Sequence, residues 1–207
     1  MMRPLGVILA GGLATRMGGG DKGLLGLGGQ SILRHVIDRI QPQVGGLALN
    51  ANGDPVRFAE FGLPVLADSI DGYAGPLAGV LAGLDWAAEE GAEAIATVAA
   101  DTPFFPSDLC ARLAAAAVSA GTPIVLAATP DAKRGQVRHP TFGLWPVALR
   151  DDLRAALDGG LRKVVLWTDG HNAATALFDA DRYDPFFNVN TPEDLDCARA
   201  MLAERVI

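Results

Sequence analysis

The sequence has only two cysteines, Cys110 and Cys197, in 207 residues, with no CxxC spacing and no metal-ligand cluster around either. A disulfide framework and a structural zinc are excluded. The scarcity suits a reducing compartment, so a cytoplasmic location is expected. Basic charge is short as well: 17 Lys and Arg against 24 Asp and Glu leave a net charge of −7. Coating a phosphate backbone needs a dense basic face, so no nucleic-acid partner is expected. Long apolar runs are also missing. The stretch 94–100 is among the longest, far below the roughly 20 residues of a membrane span. The opening run 5–10 stops at Gly11-Gly12 and then meets Thr15-Arg16. That is too weak for a signal peptide, and no membrane association is expected.

What the chain does have is a core. Half of its residues are hydrophobic and 20% are charged, a balance that excludes disorder. Glycine is abundant, at 25 residues, against a usual share of roughly 7%. Such enrichment costs folding entropy and points to tight loops that approach something closely. The length suits one compact α/β domain over residues 1–207, and no repeat or linker divides it. The apolar runs 5–10, 47–49, 65–67, 95–99 and 124–128 are continuous rather than alternating and read as buried strands. Between them, 31–40 places Ile32, Val36, Ile37 and Ile40 on one helical stripe. The stretch 76–90 does the same, with proline in its first turn, and 107–120 follows with Ser107 as its N-cap.

This alternation predicts a three-layer, Rossmann-like, mostly parallel sheet with helices on both faces. After about residue 128 the rhythm breaks. There 142–146 and 176–178 read as strands and 149–157 as a helix, while Thr191-Pro192-Glu193-Asp194 opens a C-terminal helix. An inserted hairpin region in this part is expected to complete a substrate pocket.

In such a sheet, ligands bind beyond the carboxyl ends of the strands. The runs end in Gly11-Gly12, Asn50-Ala51-Asn52, Asp68-Ser69, Asp101-Thr102-Pro103 and, late in the chain, Asn188-Val189-Asn190. Any buried run must finish in something polar, but these ends together point to one crevice. The strongest local signal runs from Leu9 to Lys22, a strand followed by a glycine-rich loop with one arginine and one lysine. Glycine backbone can crowd its N–H groups around phosphate oxygens, while Arg16 and Lys22 neutralise charge. A P-loop is excluded, because Asp21-Lys22-Gly23 lacks both the preceding glycine and the following hydroxyl. The spacing Gly18-x-Gly20-x-x-Gly23 matches a dinucleotide fingerprint only formally, since it does not directly follow a strand and Asp38 falls within a helical pattern.

Taken in order, these motifs resemble the molybdenum cofactor guanylyltransferases. The resemblance rests on Leu9-Ala10-Gly11-Gly12, Arg16-Met17-Gly18, Asp21-Lys22, Asn50-Ala51-Asn52 and Asp68-Ser69. It continues through Gly75-Pro76-Leu77-Ala78-Gly79, Asp101-Thr102-Pro103, His139-Pro140 and Asn188-Val189-Asn190-Thr191-Pro192. It implies a fold of the nucleotide-diphospho-sugar transferase type and Mg²⁺-dependent transfer of GMP from GTP to the terminal phosphate of molybdopterin, with release of pyrophosphate. By motif, Leu9, Ala10, Gly11 and Gly12 would line the nucleotide and Lys22 would contact its phosphates. Asn50 and Asp68 would hold the guanosine, and Asp101 would bind the metal. The Gly11-Gly12 pair and the Gly-Pro-Leu-Ala-Gly loop favour the guanylyl branch over molybdopterin cytidylyltransferases. Ala14 departs from the small hydroxyl residue common in the superfamily, which removes one side-chain phosphate contact. The resemblance also allows transient contact with cofactor-insertion proteins or recipient molybdoenzymes. A monomer is expected.

The residue types suit that chemistry. In-line attack on phosphorus leaves the protein to position groups and absorb charge. Asp101 offers hard oxygen to Mg²⁺, and Lys22 and Arg16 would help where charge builds on departing pyrophosphate. Asn188 and Asn190 are two apart, so on a strand they would face one side and orient either metal waters or the pterin phosphate. His139, in an expected loop before Pro140, is a candidate pterin contact. His35 and His171 read as structural or exposed, Arg162-Lys163 as a charged helix face, and Trp86, Trp145 and Trp167 as packing residues. Asp151-Asp152 reads as first-turn helix charge. Two alternatives stay open: a cytidylyl or sugar-1-phosphate nucleotidyltransferase, and a carrier that binds the pterin cofactor without catalysis.

Overall fold

Val7 and Ile8 are both fully buried although neighbours on a strand point to opposite faces. The sheet they occupy is therefore covered on both sides. The structure is a computed structural model that describes residues 3–11, 21–70 and 75–204. After β1 (Leu5–Leu9), a small hairpin of β2 (Gly26–Leu27) and β3 (Gln30–Ser31) leads into α1 (Ile32–Ile40). β4 (Leu47–Asn50), β5 (Val65–Leu66), α2 (Pro76–Glu89), β6 (Ala94–Ala99) and α3 (Leu109–Ala120) follow. β7 (Val125–Asp131) and β8 (Gly135–Pro146) form a long hairpin, and α4 (Arg150–Asp158), α5 (Val164–Gly170), β9 (Ala174–Leu177) and α6 (Pro192–Ala203) complete the order.

The seven-stranded sheet runs β5-β4-β1-β6-β8-β7-β9. β5, β4, β1 and β6 are parallel, β8 is antiparallel to both of its neighbours, and β9 runs parallel to β7. On one face, Ile8, Leu49 and Val98 pack against Val36, Ile37 and Ile40 of α1 and Leu109 and Leu113 of α3. On the other, Val7, Ile95, Leu126 and Trp145 meet Leu77, Val80, Leu81 and Leu84 of α2, with Leu153, Leu157, Val164 and Trp167 from α4 and α5. The three-layer arrangement follows from the continuous apolar runs, which only a sheet covered on both faces can bury. Trp145 buries its indole N–H against Thr97 Oγ1 at 2.8 Å, so the central pairing carries no unsatisfied donor.

Among the described helices, α1 and α6 begin at side-chain caps and the other four do not. Ser31 Oγ accepts from Arg34 N at 3.2 Å. Thr191 and Asp194 form a reciprocal capping box on α6, as the sequence predicts. Ser107 does not cap α3. Asp108 holds that position with no side-chain cap bond, and the free Cys110 N–H is met instead by Gln43 Oε1 at 3.0 Å. A long-range acceptor has replaced the local one.

The expected irregularity after residue 128 is the β7–β8 hairpin, and β8 is longer than the predicted 142–146. Its register jumps from Leu126↔Gly143 to Ala127↔His139, so residues 140–142 bulge out of the ladder. Pro140, which has no N–H to pair, is suited to that place. His139 accordingly lies on a strand and not in the loop expected for it.

Candidate active site

Four strand ends open on one cavity of about 400 Å³. β1 supplies Leu9, Ala10 and Gly11, β4 supplies Asn50, the chain after β5 supplies Asp68, and β6 supplies Ala99, Ala100 and Asp101. These are carboxyl ends of parallel strands, where an open α/β sheet places its ligand. Backbone pairing continues past them, with Ala10 N to Asn50 O at 2.9 Å and Ala100 N to Leu9 O at 3.1 Å, so the floor is held on both sides. Lys22, the start of α2 at Gly75-Pro76, Thr141 from the β8 bulge and Asn188 add to the wall.

One side of the cavity is an amide–carboxylate network. Asn50, only 3% exposed, donates from Nδ2 to Asp68 Oδ1 at 2.9 Å and to Leu66 O at 3.1 Å. Asn52 Nδ2 donates to Asp68 Oδ2 at 2.7 Å, and Asp68 N returns a bond to Asn52 Oδ1 at 2.9 Å. Gly79 makes the room: a Cβ there would overlap Asn50 Oδ1 and come 2.8 Å from Leu9 Cδ2. The glycine inside α2 is therefore required by the close approach of helix to strand end.

The opposite side carries charge. Lys22 Nζ donates to Asn190 Oδ1 at 2.7 Å and lies 4.0 Å from Asp101 Oδ2. Thr102 Oγ1 lies 2.6 Å from Asn188 Oδ1 and 3.2 Å from Asp101 Oδ1, and its single proton serves one of these acceptors at a time. Val189 N donates to Asp101 O at 2.8 Å, fastening the late loop to the end of β6. Burial pushes the Asp101 carboxyl above the usual carboxylate range, while the Lys22 ammonium and the Thr102 hydroxyl pull it back. A carboxylate that has lost water in this way gains from a nearby cation.

The MobA-like NTP transferase domain family matches residues 6–173. A protein of Bradyrhizobium sp. (strain ORS 278) named molybdenum cofactor guanylyltransferase is 51% identical over 201 residues, covering 96% of this chain and 92% of its own. One of the same name from Mesorhizobium japonicum is 50% identical over 202 residues, covering 95% of each. The chain belongs to the molybdenum cofactor guanylyltransferase family. It is accordingly a nucleotidyltransferase. Among solved structures, it is similar to molybdopterin-guanine dinucleotide biosynthesis protein A of Archaeoglobus fulgidus, with TM-score 0.72 and 20% identity over 97% of this chain and 99% of that one. It shares the fold of a 4-diphosphocytidyl-2C-methyl-D-erythritol synthase from Anaerococcus prevotii as well, with TM-score 0.74 and 13% identity over 98% and 96% of the two chains.

For this guanylyltransferase-family chain, the structure gathers Leu9, Ala10, Gly11, Lys22, Asn50, Asp68, Asp101 and Asn188 on one cavity. Gly12 and Arg16 lie outside the described residues. Asn188 and Asn190 are not on a strand, contrary to the sequence expectation; they flank fully buried Val189 in irregular chain before α6. Asn190 reaches the site through Lys22 and Asn188 through Thr102. His139 is not on the cavity wall. Its ring stacks on Phe186 at 4.3 Å and its Nε2 lies 3.0 Å from Thr129 Oγ1, while the bulge presents Thr141 instead.

Arg162 and Lys163 are not a helix face either, since Lys163 is the N-cap of α5. Trp145 and Trp167 pack in the core, Asp151 and Asp152 occupy the first turn of α4, and His35 bonds Leu27 O at 2.8 Å. The residue the sequence missed is Arg57, whose Nε donates to Asp21 Oδ2 at 2.6 Å across 36 residues. No spacing or motif marks it. Among the described residues no three His, Cys, Asp or Glu side chains cluster as metal ligands. One open carboxylate at Asp101 fits Mg²⁺, which keeps waters and shares substrate phosphates, and does not fit an ion that needs an all-protein cage.

Proposed function

We propose that this enzyme transfers GMP from GTP to the terminal phosphate of molybdopterin, forming a guanine dinucleotide and releasing pyrophosphate. The observation that carries the reading is the Lys22–Asp101 pair, 4.0 Å apart at the strand-end cavity, in a chain about half identical to relatives named for this activity. The guanosine end lies against Asn50 and Asp68. The triphosphate runs from Gly11 toward Lys22. A terminal phosphate oxygen of molybdopterin attacks the α-phosphorus in line, a new P–O–P bond forms, and the bond to the β-phosphate breaks. The protein supplies position and charge rather than covalent chemistry.

Lys22 and Arg16 stabilise the charge that grows on the departing pyrophosphate. Asp101 would hold Mg²⁺, which when bound neutralises phosphate oxygens. The chain after about residue 128 completes the molybdopterin side, with Thr141 and Asn188 on the wall and Asn190 fixing Lys22. The reaction is placed in the cytoplasm, from which the product passes to recipient molybdoenzymes. The test supplies purified protein with GTP, Mg²⁺ and molybdopterin and follows pyrophosphate. One pyrophosphate per dinucleotide supports transfer; binding of both ligands with no pyrophosphate makes the protein a carrier.

A further inference from the structure

Asp21 stands at the N-cap of the short 3₁₀ turn Lys22–Leu24, yet its side chain makes no capping bond. An aspartate there ordinarily accepts from a backbone N–H two or three residues on. Its carboxylate is turned instead to Arg57, whose Nε approaches Oδ2 at 2.6 Å. The Arg57 guanidinium is itself held on several sides. It donates to Asn52 O at 2.5 Å and Asp54 O at 2.7 Å and lies 4.6 Å over the Phe58 ring. A planar fork fits such a site and a lysine ammonium cannot fill all of it. Asp21 and Phe58 both line the cavity, and the Asp21 side chain is 19% exposed. A carboxylate thus sits on the wall beside Lys22, in a cavity read above as the seat of a triphosphate.

An uncompensated carboxylate in that place repels the triphosphate and competes with it for Lys22, since like charges close together in a partly dry site oppose binding. We propose that Arg57 is a positioning residue of the nucleotide site: it neutralises Asp21 and holds it aside, leaving the Lys22 ammonium for the triphosphate. Lys22 makes its contacts elsewhere, with Asn190 at 2.7 Å and Asp101 at 4.0 Å. Through Asn52 O the same guanidinium also fixes the loop whose Asn52 side chain holds Asp68. The inference rests on the nucleotide reading of the cavity.

The test measures GTP binding by calorimetry on the full chain, with melting temperature recorded for each protein. The variants are Arg57→Gln, Arg57→Lys and the double variant Arg57→Gln/Asp21→Asn. Arg57→Gln should weaken GTP binding by on the order of tenfold, and the deficit relative to wild type should shrink at high salt as charge is screened. Arg57→Lys keeps the charge but not the fork, so it should lose less affinity than Arg57→Gln, and adding Asp21→Asn to Arg57→Gln should restore it. A double variant as weak as Arg57→Gln overturns the proposal, and so does Arg57→Lys as weak as Arg57→Gln. If neither Arg57→Gln nor the double variant folds, Arg57 is structural and the proposal fails. Wild-type protein that does not bind GTP overturns the nucleotide reading itself, before any variant is compared.

Discussion

Lys22 and Asn190, 168 residues apart in sequence, are joined by a 2.7 Å hydrogen bond from Nζ to Oδ1. The bond fixes the one lysine among the described residues of the cavity wall from the far end of the chain. A hydrogen bond to a charged group contributes about 1.5–3 kcal/mol. Asn190→Ala should therefore lower kcat/KM for GTP by about tenfold to a hundredfold, since about 1.4 kcal/mol is a factor of ten. Steady-state kinetics check this, and an unchanged kcat/KM removes Asn190 from the site. Lys22→Ala should cost about a hundredfold or more in kcat, the usual loss when a group that stabilises transition-state charge is deleted.

Gly79 gives a prediction with an unusual sign. Glycine to alanine inside a helix ordinarily stabilises it by about 1 kcal/mol. Here the added Cβ would overlap Asn50 Oδ1 and press on Leu9 at 2.8 Å. Gly79→Ala should destabilise the fold by about 1–3 kcal/mol through overpacking and weaken GTP binding by displacing Asn50. Denaturant melts and a GTP titration on the same preparation decide it. A more stable protein with normal affinity contradicts the close-approach account.

Asp101 separates function from stability. Asp101→Asn keeps the shape and removes the charge that a hard cation requires. Turnover should fall by about a hundredfold or more. Burial already disfavours the charged carboxyl in the folded protein, so at neutral pH the variant should melt no lower than wild type, and higher if that penalty dominates. A large loss of melting temperature with normal turnover per folded molecule would make Asp101 a structural residue.

Burial holds the His139 imidazole below its ordinary value of 6.5, while Asp184 pulls the other way. The folded state thus prefers the neutral ring. The stability this contributes is present above the unfolded value and is lost as pH falls through it toward the lower folded value. Wild-type melting temperature should drop as pH is lowered from about 7 to about 5. His139→Gln should show a flatter profile over that window, measured by scanning calorimetry. Parallel profiles for the two proteins would remove His139 from the effect.

The parallel half of the sheet and its polar ends were legible because buried parallel strands need unbroken apolar runs and ligands gather where those runs stop. Asn50, Asp68 and Asp101 were found that way. What the sequence hid depends on tertiary contact. The segment Val164–Gly170 carries a β-branched and aromatic run with no side-chain cap, and it is helical because Val164 and Trp167, one turn apart, are both buried in the core cluster that holds Trp145 and Leu153. Asn188 and Asn190 share a site through Thr102 and Lys22 rather than through strand alternation. Ser107 lost its capping role to Gln43, 67 residues from the Cys110 N–H it satisfies. Arg57 has no local signature because its partner Asp21 lies in another loop.

The most direct test of GMP transfer offers the enzyme equimolar GTP and CTP with molybdopterin and Mg²⁺ and weighs the dinucleotide formed. Guanine presents N–H donors and a carbonyl acceptor that cytosine cannot match, and unmatched polar groups at a dedicated site cost several powers of ten in selectivity. The account predicts guanine dinucleotide in at least about hundredfold excess over the cytosine product. Equal amounts of the two products, or cytosine in excess, would contradict it.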